Sequence, residues 1–107
     1  MKWLFHALGN VLYGRAGAWA RVRREHLERE PECAACGGKE DLQVHHIVPY
    51  SVDARLELDP ENLITLCAHP CHLVHGHFMS WQRFNPHVRQ HCRSYRDGLE
   101  RSKTRKG

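Results

Sequence analysis

Five cysteines and ten histidines share a 107-residue chain with only three Trp, three Tyr and three Phe. These are metal-ligating side chains, and their spacing says more than their number. Cys33-x2-Cys36 puts two sulfurs on one short loop, where they can share a tetrahedral centre. Cys67 and Cys71 follow as a second pair, and four thiolates together make a closed structural zinc site. The second spacing is x3 rather than x2, which brings in His69 as a competing fourth ligand and leaves ordinary buried thiols as the metal-free alternative. A site of this kind contributes about 10–16 kcal/mol of apparent binding energy, which offsets the small core of so short a chain. Cys92 stands apart from both pairs and reads as a small buried side chain. An odd cysteine count with four in close pairs suits zinc in a reducing, cytoplasmic setting better than a disulfide framework.

Once the cysteines hold one ion, His45, His46, His72, His75 and His77 have no structural role left to explain them. The elements between them predict how they meet. Apolar Trp19, Val22 and Leu27 recur at helical spacing between Ala18 and Glu30, ahead of the breaker Pro31. Leu42 to Val48 is β-branched enough for a strand, stopped by Pro49. Asp59-Pro60-Glu61-Asn62 suits a helical turn capped by Asp59 or a plain turn, and the reading adopted is a turn leading to a second strand at Leu63–Leu66. A helix is expected from Cys71 to about Arg83, broken at Asn85-Pro86, and a last helix from His87 to Leu99. A hairpin packed on a helix brings His45 and His46 opposite His72 and its neighbours, so a second, open metal site is geometrically reasonable. Successive strand residues face opposite sides, so the backbone must bend or end near His46 if both histidines are to reach one phosphate.

The order Cys33-x2-Cys36, His45-His46-Ile47-x-Pro49, Asn62-Leu63-Ile64-Thr65-Leu66-Cys67 and Cys71-His72 resembles the HNH endonucleases over about residues 19–85. It is especially similar to small stand-alone members from bacteria and phages or other mobile elements. Leu58 to Cys67 and Cys71-His72-x3-Gly76-His77 carry that closer likeness. The resemblance implies a small α+β fold: a ββα-metal core with a four-cysteine zinc knuckle and flanking helices. It implies His45 as a ligand of a catalytic divalent ion and His46 as the general base that deprotonates water. It further implies Asn62 as the residue orienting the base or its loop, and His72 as a metal ligand. His77 is the expected further ligand and His75 the alternative, because neither sits four residues past His72. The reaction implied is metal-dependent hydrolysis of DNA, leaving a 5′-phosphate and a 3′-hydroxyl, with Zn²⁺ structural and Mg²⁺, Mn²⁺, Ni²⁺ or Zn²⁺ catalytic. The chemistry suits the residues: a divalent cation can stabilise charge on phosphate and leaving oxygen, and an imidazole with an ordinary pKa of roughly 6.5 is largely unprotonated at neutral pH.

Net charge is +4, but it is unevenly spread: residues 1–82 carry −2 and residues 83–107 carry +6. Arg83, Arg89, Arg93 and Arg96 are therefore the expected contacts to duplex DNA through its phosphates. No recognition helix or second binding module is evident, so sequence specificity would come from a protein partner. The expected organisation is an N-terminal amphipathic extension at 1–17, a nuclease unit at 18–85 and a basic helix and tail at 86–107. Met1 to Gly14 imitates a signal peptide, but His6, Gly9 and Asn10 interrupt its apolar stretch, and a short amphipathic helix is the preferred reading. No apolar run approaches the ~20 residues of a membrane-spanning helix. His6, His26, His87 and His91 read as surface residues, and Trp19 and Trp81 as core or helix-packing residues rather than base-stacking platforms. The competing functions are a non-enzymatic zinc-stapled nucleic-acid-binding protein of the same fold and a metal-binding interaction module. Both leave His45, His46 and His72 unexplained.

Overall fold

The computed structural model describes residues 15–106, with side chains described over 17–103. The expected extension lies almost wholly outside them, as does His6. Helix α1 (Arg15–Arg29) ends ahead of Pro31, as the sequence predicts. Strands β1 (Leu42–His46) and β2 (Leu63–Cys67) pair antiparallel, with His45 opposite Ile64 and Leu42 opposite Cys67. Helix α2 (Val88–Lys106) follows. This is the small α+β arrangement of a ββα-metal core with flanking helices.

β2 is buried at all five positions, although a two-stranded hairpin alone would leave it half open. Ile64 and Leu66 enter the core with Cys33, Ala35, Cys67, Cys71, Val88 and Cys92. Thr65 donates its hydroxyl to the Glu30 carbonyl at the end of α1, 2.9 Å away. The unpaired edge of β2 is closed as well. Ala34 N–H donates to Thr65 O at 2.9 Å, and Arg89 Nη2 donates to Leu63 O at 2.7 Å. Edge carbonyls that would otherwise be buried without donors are thereby satisfied. Beyond cysteine and alanine, the buried apolar set among the described residues is Leu63, Ile64, Leu66 and Val88. So little aliphatic surface makes the cysteine cluster part of the core rather than an addition to it.

Both readings of Asp59-Pro60 are realised in succession: Asp59 caps a single 3₁₀ turn at Pro60–Asn62, its carboxylate accepting from Glu61 N–H at 2.9 Å, and β2 begins at the next residue. Three expectations are corrected. The helix predicted from Cys71 to Arg83 is only a π-helical turn, His72–Gly76, flanked by one residue at each end. Phe78 and Met79 then take φ of 50° and 68°, a left-handed conformation that no helix continues through. The last helix starts at Val88 and runs on past Leu99 to Lys106; Glu100, 3.8 Å from Arg96 and 3.7 Å from Lys103, supports the extra turns. His26 is not a surface residue but fully buried, with Nε2 3.1 Å from Glu30 and burial as the main cause of its lowered pKa.

Candidate metal centres

Cys33 and Cys36 lie on the loop between α1 and β1, Cys67 ends β2, and Cys71 opens the π-helical turn. Their four sulfurs lie within 4.8 Å of one another. Cys36 Sγ and Cys67 Sγ are 3.9 Å apart. A tetrahedral ion with bonds of ~2.3 Å requires sulfurs ~3.8 Å apart, so the cage has the dimensions of a zinc knuckle. Backbone N–H groups of Cys36 and Gly38 point at Cys33 Sγ and Cys36 Sγ, at 3.5 and 3.4 Å. Burial opposes ionisation of Cys33, but surrounding backbone N–H groups outweigh it and bring the thiol down to about 7, toward the thiolate a metal needs. Gly37 has φ +77°, and a Cβ there would lie 2.9 Å from the Arg96 guanidinium, so the loop's turn requires glycine. His69 is exposed and outside the cluster, which disposes of it as the competing ligand. Cys92 is buried apart from the cage, its thiol pushed up to about 12 by burial.

His45 from β1 and His72 and His77 from the turn after β2 form a second group, one ring nitrogen of each within 4.8 Å of the others. His45 Nδ1 is 3.0 Å from His72 Nε2, which is 3.3 Å from His77 Nε2. Donors on an ion bonded at ~2.1 Å would stand ~3.0 Å apart at right angles and ~3.4 Å apart in a tetrahedron, so the spacing fits. The far nitrogens set the tautomers. His72 Nδ1–H donates to Gln43 Oε1 at 2.6 Å, and His77 Nδ1–H donates to the Arg83 carbonyl at 2.6 Å. Each bond leaves an Nε2 lone pair aimed inward, the usual outer support of a metal-bound imidazole. Burial, reinforced by neighbouring rings, lowers His45 to about 3 and His72 to about 4. Proton loss from His45 and His72 is thus already favoured at neutral pH, as a metal site requires. His75 points elsewhere, its ring centroid 4.7 Å from that of Tyr95.

His46 opens on the same cavity, about 230 Å³ in volume, as His45, His72 and His77. β1 ends at His46, so strict alternation no longer keeps the adjacent histidines apart. The His46 ring packs on Trp19 at 4.5 Å, and its Nε2–H donates to the Glu57 carbonyl at 2.8 Å. Residues 33–78 match the family model described as HNH endonuclease. They form an HNH endonuclease domain. Searches among curated proteins and among solved structures gave no match.

Within the HNH domain Asn62 holds the loop after β1. Its Oδ1 accepts from Val48 N–H at 2.8 Å, and its Nδ2 donates to Val48 O and Leu56 O, each at 3.0 Å. Glu57, whose carbonyl steadies His46, is the next residue. Among the four arginines expected on DNA, Arg89 is committed to Leu63 O, and Arg96 donates to Cys33 O and to Glu32 at 3.3 and 3.0 Å. Arg83 and Arg93 are exposed. Gln43 and the Glu57 and Arg83 carbonyls escape a reading of the sequence. Period-two spacing from His45 would have found Gln43, whereas the carbonyls leave no mark on residue type. Trp81 is a further correction: it is 60% exposed, not core, with its ring centroid 5.1 Å from that of His72 and 4.9 Å from that of His77. No helix among the described residues is long and apolar enough to cross a membrane.

Proposed function

We propose that the protein is a metal-dependent endonuclease that hydrolyses phosphodiester bonds in duplex DNA, with residues 18–85 as the nuclease unit and 86–107 as a basic arm. The observation that carries this reading is one cavity lined by His46 and by three imidazoles whose inward nitrogens have the separations of an ion's ligands. His45, His72 and His77 would hold the divalent ion, and Cys33, Cys36, Cys67 and Cys71 a structural Zn²⁺. A divalent cation supplies charge stabilisation on the scissile phosphate and the leaving oxygen. An all-imidazole donor set ranks Ni²⁺ and Zn²⁺ above Mn²⁺ and Mg²⁺, the last of which prefers oxygen.

His46 acts as the base. Its Nε2–H is held on the Glu57 carbonyl, so Nδ1 carries the lone pair that takes the proton from water. Trp19 fixes the plane of the ring. Asn62 is a positioning residue: by tying Leu56 and Val48 together it keeps the Glu57 carbonyl in place. Arg83 and Arg93 are the arginines left to meet phosphates, and specificity beyond that would come from a protein partner.

The test incubates the protein with supercoiled plasmid and Mg²⁺, Mn²⁺, Ni²⁺ or Zn²⁺, beside a chelator control and a His46→Ala variant. Nicking should fall about 10²–10⁴-fold in the variant, the usual contribution of a general base. Nicking that survives the substitution would show that another group takes the proton. A wild-type protein that binds DNA but cuts no form of it with any metal would leave the zinc-stapled binding protein as the function.

A further inference from the structure

The segment after the π-helical turn presents apolar side chains to solvent, and one of them, Trp81, stands against the histidine trio. Phe78 is 42% exposed, Met79 66% and Trp81 60%. Three large apolar residues are thus exposed within four positions, a contiguous patch rather than scattered single side chains. The backbone beneath is firmly tied. Met79 N–H donates to Leu73 O at 2.9 Å, Ser80 N–H to His77 O at 3.0 Å, Arg83 N–H to Ser80 O at 2.9 Å and Asn85 N–H to Gly76 O at 3.1 Å. Asn85, itself buried, adds a side-chain bond from Nδ2 to His75 O at 3.0 Å. Phe78 and Met79 are both held left-handed, where glycine or asparagine would be at ease. A fold that keeps bulky side chains in a strained, well-bonded loop and points them outward is displaying them.

What they face follows from where they stand. The Trp81 ring touches both His72 and His77, so it lies one side chain away from the ion's position, and exposed Arg83 follows two residues later. A nucleic acid whose phosphate enters the cavity brings its neighbouring bases against this segment. Aromatic rings stack on bases of any sequence, and apolar side chains inserted at a base step unstack it and kink the duplex. Resting on the nuclease reading above, we infer that Trp81 is a stacking platform and Met79 a wedge, which together open the DNA at the step being cut. The preferred substrates are then those already easy to open: pyrimidine–purine steps, mismatches and bulges.

The experiment compares two duplexes of one sequence, one fully paired and one mismatched beside the cut, with wild type, Trp81→Ala, Trp81→Phe and Met79→Ser. Trp81→Ala should cut the paired duplex about ten-fold more slowly or worse, as loss of one stacked base implies. Its deficit should shrink several-fold on the mismatched duplex, Trp81→Phe should stay near wild type, and Met79→Ser should repeat the pattern more weakly. Equal losses on both duplexes would make Trp81 a support for the metal ligands and overturn the proposal, as would no loss at all. A second readout does not need cleavage: 2-aminopurine placed at the step, with one equivalent of Zn²⁺ in the sulfur cage and no further divalent ion added, should brighten when wild type binds and not when Trp81→Ala binds. Brightening without cleavage by any metal would sink the nuclease reading and keep the wedge. Cleavage without brightening would do the reverse.

Discussion

Replacing Gly76 by alanine sets two effects of opposite sign against each other. In a helical turn, alanine is worth about 1 kcal/mol more than glycine because it restricts the unfolded chain. At position 76, however, the new Cβ would lie 3.1 Å from His45 Cε1, 3.2 Å from His45 Nε2 and 3.3 Å from His72 Cδ2. Ordinary carbon contacts begin near 3.5 Å, so the rings would have to retreat by a few tenths of an ångström. His45 is 3% exposed and has nowhere to go. Overpacking of this kind costs about 1–3 kcal/mol, which cancels the propensity gain and leaves a net loss of up to about 2 kcal/mol. The larger effect falls on the ion, because two of its three nitrogens would move, and disturbed ligand support typically weakens affinity about 10–100-fold. Urea melts of the zinc-loaded protein give the stability, and calorimetric titration with Ni²⁺ gives the affinity. Gly98→Ala is the control: it lies inside α2 with nothing within 4 Å of the new Cβ, and it should gain the propensity term in full. If Gly76→Ala matches Gly98→Ala in stability and binds Ni²⁺ like wild type, the packing of the histidine trio described above is wrong.

Two further outcomes follow. Cys36→Ser, or removal of the cage ion with a strong chelator, should abolish the cooperative melting transition and the far-ultraviolet signal of the centre, since about 10–16 kcal/mol of coupled folding energy is at stake; a chelated protein that still melts cooperatively refutes the metal-dependent core. In protein with the histidine site empty, His45 and His72 titrate near 3 and 4 when folded and near 6.5 when unfolded. The unfolded chain therefore binds more protons between those limits, so stability should be full above pH 6.5 and fall as pH drops toward 4, by up to about 1.4 kcal/mol per pH unit per ring. Urea midpoints measured from pH 7.5 to 5 with the cage ion in place, compared with a His45→Ala variant, check this, and identical slopes would contradict it.

Much of this could be read from residue order because metal ligands must be the right atoms at the right separations. The four cysteines, the pair His45-His46 and the hairpin carrying them are specified by spacing and by β-branched runs. The two ends of the chain's middle segment were harder. Phe78 and Met79 bear no signature of a left-handed turn, so the helix expected to reach Arg83 stops at His77 for a tertiary reason: bonds from Met79 and Asn85 capture the carbonyls that further turns would have used. The placement of Trp81 against the histidine trio follows from that early stop. His26 looked like any surface histidine on a charged helix, and only its packing beneath Glu30 and Arg89 shows it to be interior. Arginine count on the basic arm likewise overstated what is available to a phosphate, because β2 needs Arg89 for its own edge carbonyl.

Cys71 and His72 are consecutive residues, so a donor to the sulfur cage and a donor to the imidazole trio hang from a single peptide unit. Loosening the cage would swing its neighbour, and the trio would then lose the register that Cys71 gives it. On the proposed assignment, occupancy of the two sites would be ordered: the cage ion would be the keystone set first, and the histidine ion would follow only in molecules already carrying it.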